Sequence, residues 1–163
     1  MAAATVIHFG SRDSYRVSVL RNAGYEVRES DSLDRLVTEL ERDQDLDAVI
    51  MSEVDPRHAE LAAVLVRERS SAPLILFRRR DVRVDESQFD RVFSWLYPER
   101  FWLYETAVLV IESQRLSAWS NCLRRDSEAV RARSVQQRAR AESESQRNAD
   151  AGGLWKLEEY GED

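Results

Sequence analysis

Over the first 97 residues, short runs rich in β-branched and apolar side chains alternate with stretches whose apolar residues recur every three or four positions. Thr5-Val-Ile-His-Phe9 is apolar apart from its first residue and His8, and it ends at Gly10, as a buried strand does. Val17, Leu20 and Ala23 follow at helical spacing, with Gly24 placed as a helix stop. Tyr25-Glu-Val-Arg28 alternates and predicts a second strand. Asp31 or Ser32 can cap a helix carrying Leu33, Leu36, Val37 and Leu40. Leu46 to Met51 predicts a third strand. Asp55-Pro56 then opens a helix with proline in the first turn, where its missing N–H costs nothing. Ala59, Ala62, Ala63 and Val66 form its apolar face. Pro73 to Phe77 and Arg91 to Leu96 predict the fourth and fifth strands, and a helix is expected from near Pro98.

Strands that are apolar on both faces and separated by helices imply a parallel sheet covered on both sides. Five such units imply an α/β, flavodoxin-like, doubly wound five-stranded sheet. Asp81 to Asp90 is short and polar, so the fourth helix is expected to be stunted or replaced by a loop.

From Glu99 to Asn148 there is neither Gly nor Pro, which permits a very long helix. Its first part, Phe101 to Ile111, is apolar nearly all round, so one side is expected on the sheet and the other against a partner or the chain's own tail. Further on, Leu109, Leu116, Leu123 and Val130 recur every seven residues with Trp119 between two of them. The complementary positions Glu112, Asp126 and Arg133 are charged, which makes a weak coiled-coil seam. The chain is expected to fray after Val135 and to break at Gly152-Gly153. Leu154, Trp155, Leu157 and Tyr160 form an apolar patch in an acidic tip that can dock or fold back.

Charge follows the same division. Residues 1–113 carry 15 Arg against 21 acids, 114–148 carry 8 Arg against 4, and 149–163 carry one Lys against 5. The basic stretch is interrupted by Asp126, Glu128, Glu142 and Glu144 and includes no DNA-reading motif, so nucleic acid is not an expected partner. One cysteine, Cys122, and two histidines, His8 and His58, exclude an intrachain disulfide and a Cys- or His-rich metal centre. His8 is expected as a core or edge residue and His58 as a solvent-facing one. No run approaches the roughly 20 apolar residues of a membrane helix, and no secretory signal is visible, so a cytoplasmic protein is expected. No Ser/His/Asp set, Gly-rich phosphate loop or catalytic carboxylate pair is present, so no enzyme activity and no cofactor are expected.

Three segments carry a resemblance: Asp47-Ala-Val-Ile-Met-Ser52-Glu-Val-Asp-Pro56, Leu20-Arg-Asn-Ala-Gly-Tyr-Glu-Val27 and Leu96-Tyr-Pro98. With the order of elements, they make residues 4–117 similar to the receiver domain of bacterial response regulators. The extension then covers residues 118–148 and the acidic tip residues 149–163. The resemblance implies two Mg²⁺-binding acids after the first strand, a phospho-accepting Asp ending the third, a Ser/Thr ending the fourth and a Lys ending the fifth. Position by position these are Gly10 and Ser11, Ser52, Arg78 and Tyr97. All five functional groups are replaced, and a serine cannot form the acyl phosphate. Asp13, Glu53 and Asp55 lie near the pocket and leave room for stray metal binding, but no metal site is expected.

The resemblance therefore implies a pseudo-receiver that works by protein–protein contact in signalling or regulation, as a homodimer through the C-terminal helix or with another signalling protein. The expected contact residues are Trp102, Tyr104, Val108, Ile111, Leu116, Trp119 and Leu123. A ligand-sensing domain is the alternative, with Arg78, Arg79 and Arg80 holding an anion or nucleotide at the strand edge. Otherwise an Arg at position 78 pairs with Glu53 or Asp55. Cobalamin is not expected, because Asp13-Ser-Tyr15 lacks the histidine its loop needs.

Overall fold

The computed structural model describes residues 3–11, 14–42, 46–52, 54–79 and 83–158, the last ten as helix backbone only. Strands β1 (Thr5–Gly10), β2 (Glu26–Ser30), β3 (Ala48–Ser52), β4 (Leu74–Arg78) and β5 (Arg91–Ser94) form one sheet in the order β2-β1-β3-β4-β5. Every neighbouring pair is parallel. Helices α1 (Tyr15–Asn22), α2 (Leu33–Arg42) and α3 (Pro56–Arg69) are crossover connections, and α4 (Glu99–Glu158) follows β5. The expected five-stranded parallel fold with a long C-terminal helix is the one observed.

Alternation along the strands divides the core in two. Val6, Ala48, Ile50, Ile75 and Phe77 face one side with Val17 and Leu20 of α1 and Trp102 and Val110 of α4. Ile7, Val49, Met51, Leu74 and Leu76 face the other with Leu36 and Leu40 of α2 and Ala59, Ala62, Ala63 and Val66 of α3. A run apolar at every position is thus consumed on both faces, as a doubly covered parallel sheet requires.

Between β4 and β5 the described chain forms a single 3₁₀ turn, Glu86–Gln88, capped by the Asp85 carboxylate accepting from the Ser87 amide. Phe89 seals that side of the core in place of a fourth full helix. Strand β5 stops at Ser94 rather than reaching Leu96, because the Tyr97 amide turns back to the Ser94 carbonyl.

The expected break at Gly152-Gly153 is corrected: the backbone is helical through both glycines to Glu158. Glycine keeps its N–H and costs a helix only about 1 kcal/mol relative to alanine, whereas proline removes a hydrogen bond. The apolar side chains expected in the tip, Leu154, Trp155, Leu157 and Tyr160, lie outside the described side chains. The chain divides into two units, Met1–Leu116 and Ser117–Asp163. Among the described residues, no helix is long and apolar enough to cross a membrane.

Candidate functional site

In an open α/β sheet, chemistry gathers at the carboxyl ends of the strands near the point where strand order reverses. Here that point lies between β1 and β3, and the register sets Gly10 beside Ser52. Two residues back along β1, His8 projects to the same face as Ser52. Its Nε2 shares a 2.6 Å hydrogen bond with the Ser52 hydroxyl, and both side chains are buried. Burial lowers the His8 pKa to about 4. Glu29 pulls the other way, and Arg16 and Arg21 add to the lowering. At neutral pH the imidazole is uncharged and paired with the one hydroxyl at the expected phospho-acceptor position.

Gly10 explains how β1 and β3 come so close. Its φ is +149°, and a β-carbon there would lie 1.8 Å from the Ser52 carbonyl oxygen. A side chain at this position, acidic or not, has no space.

Over the same face, α1 starts at Tyr15 and places Arg16 fully inside the protein. Its guanidinium lies 4.1 Å over the Phe77 ring and 4.4 Å over Trp95, and Nη2 donates to the Trp95 carbonyl at 2.9 Å. Tyr15 adds a third ring at 5.0 Å. Planar guanidinium suits such a slot through stacking and its weaker hydration. A permanent cation thus sits against the ends of β4 and β5.

The remaining expected positions are dispersed. Ser11 is exposed after β1. Arg78, ending β4, is half-buried and bonds Glu86 of the 3₁₀ turn at 2.9 Å. Glu53, one of its expected partners, lies outside the described residues. Arg79 is exposed, and Arg80 lies outside the described residues. Tyr97 stacks on Phe93 with centroids 5.3 Å apart and planes 10° from parallel.

A cleft of about 550 Å³ opens at the end of β1, between the N-termini of α2 and α3. Its rim includes Asp31, Asp34 and Asp55, and neither Arg78 nor Arg79 lines it. The donor set that would hold the Mg²⁺ of a receiver does not fit: Gly10, Ser11 and Ser52 supply no carboxylate, and the Ser52 hydroxyl is engaged by His8. Among the described residues no three His, Cys, Asp or Glu side chains are grouped to hold a metal ion.

The expected contact residues divide by helix face. Trp102 is corrected: it is 0% exposed, with its ring edge-on to Phe77 at 5.3 Å and 85°. It shares the buried side of α4 with Thr106 and Val110, at i, i+4 and i+8. Phe101, Tyr104 (68% exposed) and Ile111 lie on the outer side, with Val108 half-buried among them and Tyr97 leading into the row. Leu116, Trp119 and Leu123 are exposed further along.

Two buried residues, His8 and Arg16, organise this region although neither was expected to. His8 could be found only by knowing which strands are neighbours. Arg16 had a local signal, since it lies four residues before Leu20 on the helix face that must be buried.

No protein-family model matches the sequence, and no curated protein matches it. Solved structures do match the fold. The receiver domain of the sensor histidine kinase PA1611 from Pseudomonas aeruginosa, solved with magnesium in its active-site cleft, aligns with a TM-score of 0.55 at 14% identity. The match covers 67% of this chain and 98% of that one. A response regulator receiver protein from Sinorhizobium medicae gives 0.55 at 15%, over 68% and 97% of the two chains. A fusion carrying a trimeric coiled-coil segment of yeast Spc42 gives 0.55 at 11%, over 77% and 98%. The sheet order, the crossovers and these superpositions together establish a receiver-like fold followed by a long C-terminal helix.

Proposed function

We propose that this chain is a phosphorylation-independent receiver-fold module. It acts in signalling or regulation through protein–protein contact, without a catalytic step of its own. Its self-association surface is the outer face of α4 within the first unit. The observation that carries the reading is the row Phe101, Tyr104, Val108 and Ile111, spaced three, four and three residues apart and left open to solvent, with Val108 half-buried. That spacing is the seam by which one helix meets another. Aromatic side chains are also the residues that contribute most at the centres of interfaces.

Light scattering on the full chain tests this. The wild type is expected at the dimer mass and the double variant Tyr104→Glu/Ile111→Glu at the monomer mass. Both residues are exposed, so their loss costs the fold about 0.5 kcal/mol or less each. A monomeric wild type defeats the reading, and so does a dimer that survives both substitutions.

Phosphorylation independence is supported by the buried Ser52–His8 bond and by the absence of any carboxylate at positions 10, 11 and 52. Incubation with a small-molecule phosphodonor and Mg²⁺ is expected to leave no hydroxylamine-labile phosphate on the protein. Labelling of the first unit would refute this part.

The ligand-sensing alternative gains no support. Arg78 is held by Glu86, and the cleft at the strand edge is lined with carboxylates, which repel anions.

A further inference from the structure

Beyond Leu116 every described side chain of α4 up to Asn148 is exposed. Within this second unit, Trp119 (64% exposed), Leu123 (49%) and Val130 (63%) form one apolar stripe. The stripe continues by the same spacing, but its character changes. Arg133, Arg140 and Arg147 occupy the positions seven, fourteen and twenty-one residues after Asp126, in line with Trp119. The seam therefore reads Trp119, Leu123, Asp126 and Val130 in its first half and Arg133, Gln137, Arg140, Glu144 and Arg147 in its second, apolar and then net positive, and it needs an occupant matching both halves.

A second copy does not match. A parallel, in-register copy would oppose Asp126 to Asp126 and each of the three arginines to itself, layer after layer. Like charges at a helix seam are the device by which coiled coils reject a partner. An antiparallel copy overlapping the whole stripe would lay Leu123 and Val130 against arginines. Nucleic acid does not match either. Phosphates would leave Trp119, Leu123 and Val130 uncovered, and Asp126, Glu128, Glu142 and Glu144 break the basic surface.

We infer that residues 119–147 dock an acidic amphipathic helix from a different protein, whose apolar residues cover Trp119, Leu123 and Val130 and whose carboxylates, spaced by seven, meet Arg133, Arg140 and Arg147. Arginine favours this role, since its fork pairs with carboxylates bidentately. The surface is distinct from the self-association row at Phe101–Ile111 and goes beyond the function proposed above.

The test uses the full chain and two synthetic helical peptides. Both carry leucines opposite the apolar half; one carries glutamates, the other lysines, opposite the three arginines. Fluorescence anisotropy of the labelled peptides gives the affinities. The glutamate peptide is expected to bind on the order of 100-fold tighter than the lysine peptide, with the gap narrowing as salt is added. In R133E/R140E/R147E, whose helix content is checked by circular dichroism, the preference should reverse. The inference is overturned if the two peptides bind equally, if neither binds, if the triple variant keeps the wild-type preference, or if duplex DNA binds the wild type more tightly than the glutamate peptide. The Tyr104→Glu/Ile111→Glu chain should bind the glutamate peptide as the wild type does. Failure of self-association therefore remains separable from failure of this surface.

Discussion

Gly10→Ala is expected to lower stability by about 3 kcal/mol or more, among the largest effects available to a single methyl group in this protein. Two costs add. A residue with a β-carbon rarely adopts the φ of +149° found at Gly10. The new carbon would also lie 1.8 Å from the Ser52 carbonyl oxygen and 3.0 Å from its carbon. That neighbour is backbone, and it cannot swing away as a side-chain tip could. Ser52 is paired with β1 and β4 and is tied to His8 through its hydroxyl, so any movement disrupts three elements.

Gly24→Ala supplies the control. Its φ is also positive, at +92°, but nothing lies within 4 Å of the added carbon. It should cost only about 1 kcal/mol, the backbone strain alone. Denaturant unfolding of the two variants separates clash from strain, and equal losses would show that the clash at Gly10 is relieved at little cost. The result also bears on function. An acid at position 10 is what the receiver resemblance would require, and the geometry excludes one for the same reason that it excludes alanine.

Which parts of this architecture can be read from sequence depends on how local their causes are. The five strands and first three helices rest on periodicity within a dozen residues, and each appears within a few residues of its expected place. The missing fourth helix was equally legible, because Asp81 to Asp90 offers almost no apolar stripe. The buried site was not. His8 and Ser52 are 44 positions apart, and their bond depends on β1 and β3 being neighbours in a register that sets Gly10 beside Ser52. Read alone, each is an ordinary strand residue.

Arg16 failed for a different reason. A charged residue on a helix is normally solvated, and the slot that accepts this one is assembled from Phe77, Trp95 and Tyr15. Trp102 shows the limit of reading a helix that is apolar all round. Periodicity establishes that there are two sides, but only the packing of Phe77 decides that Trp102 turns inward while Phe101 and Tyr104 turn outward.

The His8–Ser52 pair makes a second large effect, this one governed by pH. In the unfolded chain His8 titrates near 6.5, and in the folded protein its pKa is lowered to about 4. Between those values the unfolded chain binds a proton that the folded one refuses, so stability must fall as the solution is acidified. The contribution is fully present above pH 6.5, declines through the window from 6.5 to 4, and is lost once the pH falls through the folded value. Over the whole window this single group removes about 3 kcal/mol.

Protonation also acts locally. It places a positive charge in a buried site near Arg16 and Arg21, with Glu29 as the opposing charge. Carboxylates titrate in the lower part of the same range, so the wild-type curve alone does not isolate the histidine. The difference between the wild type and His8→Gln does, because glutamine offers Ser52 a hydrogen bond and takes no proton. Unfolding free energies for both proteins, measured from pH 7.5 to 4, are expected to converge by about 3 kcal/mol across the series. A difference independent of pH would mean that the imidazole is not held neutral in the fold, and that its bond to Ser52 does not form as described.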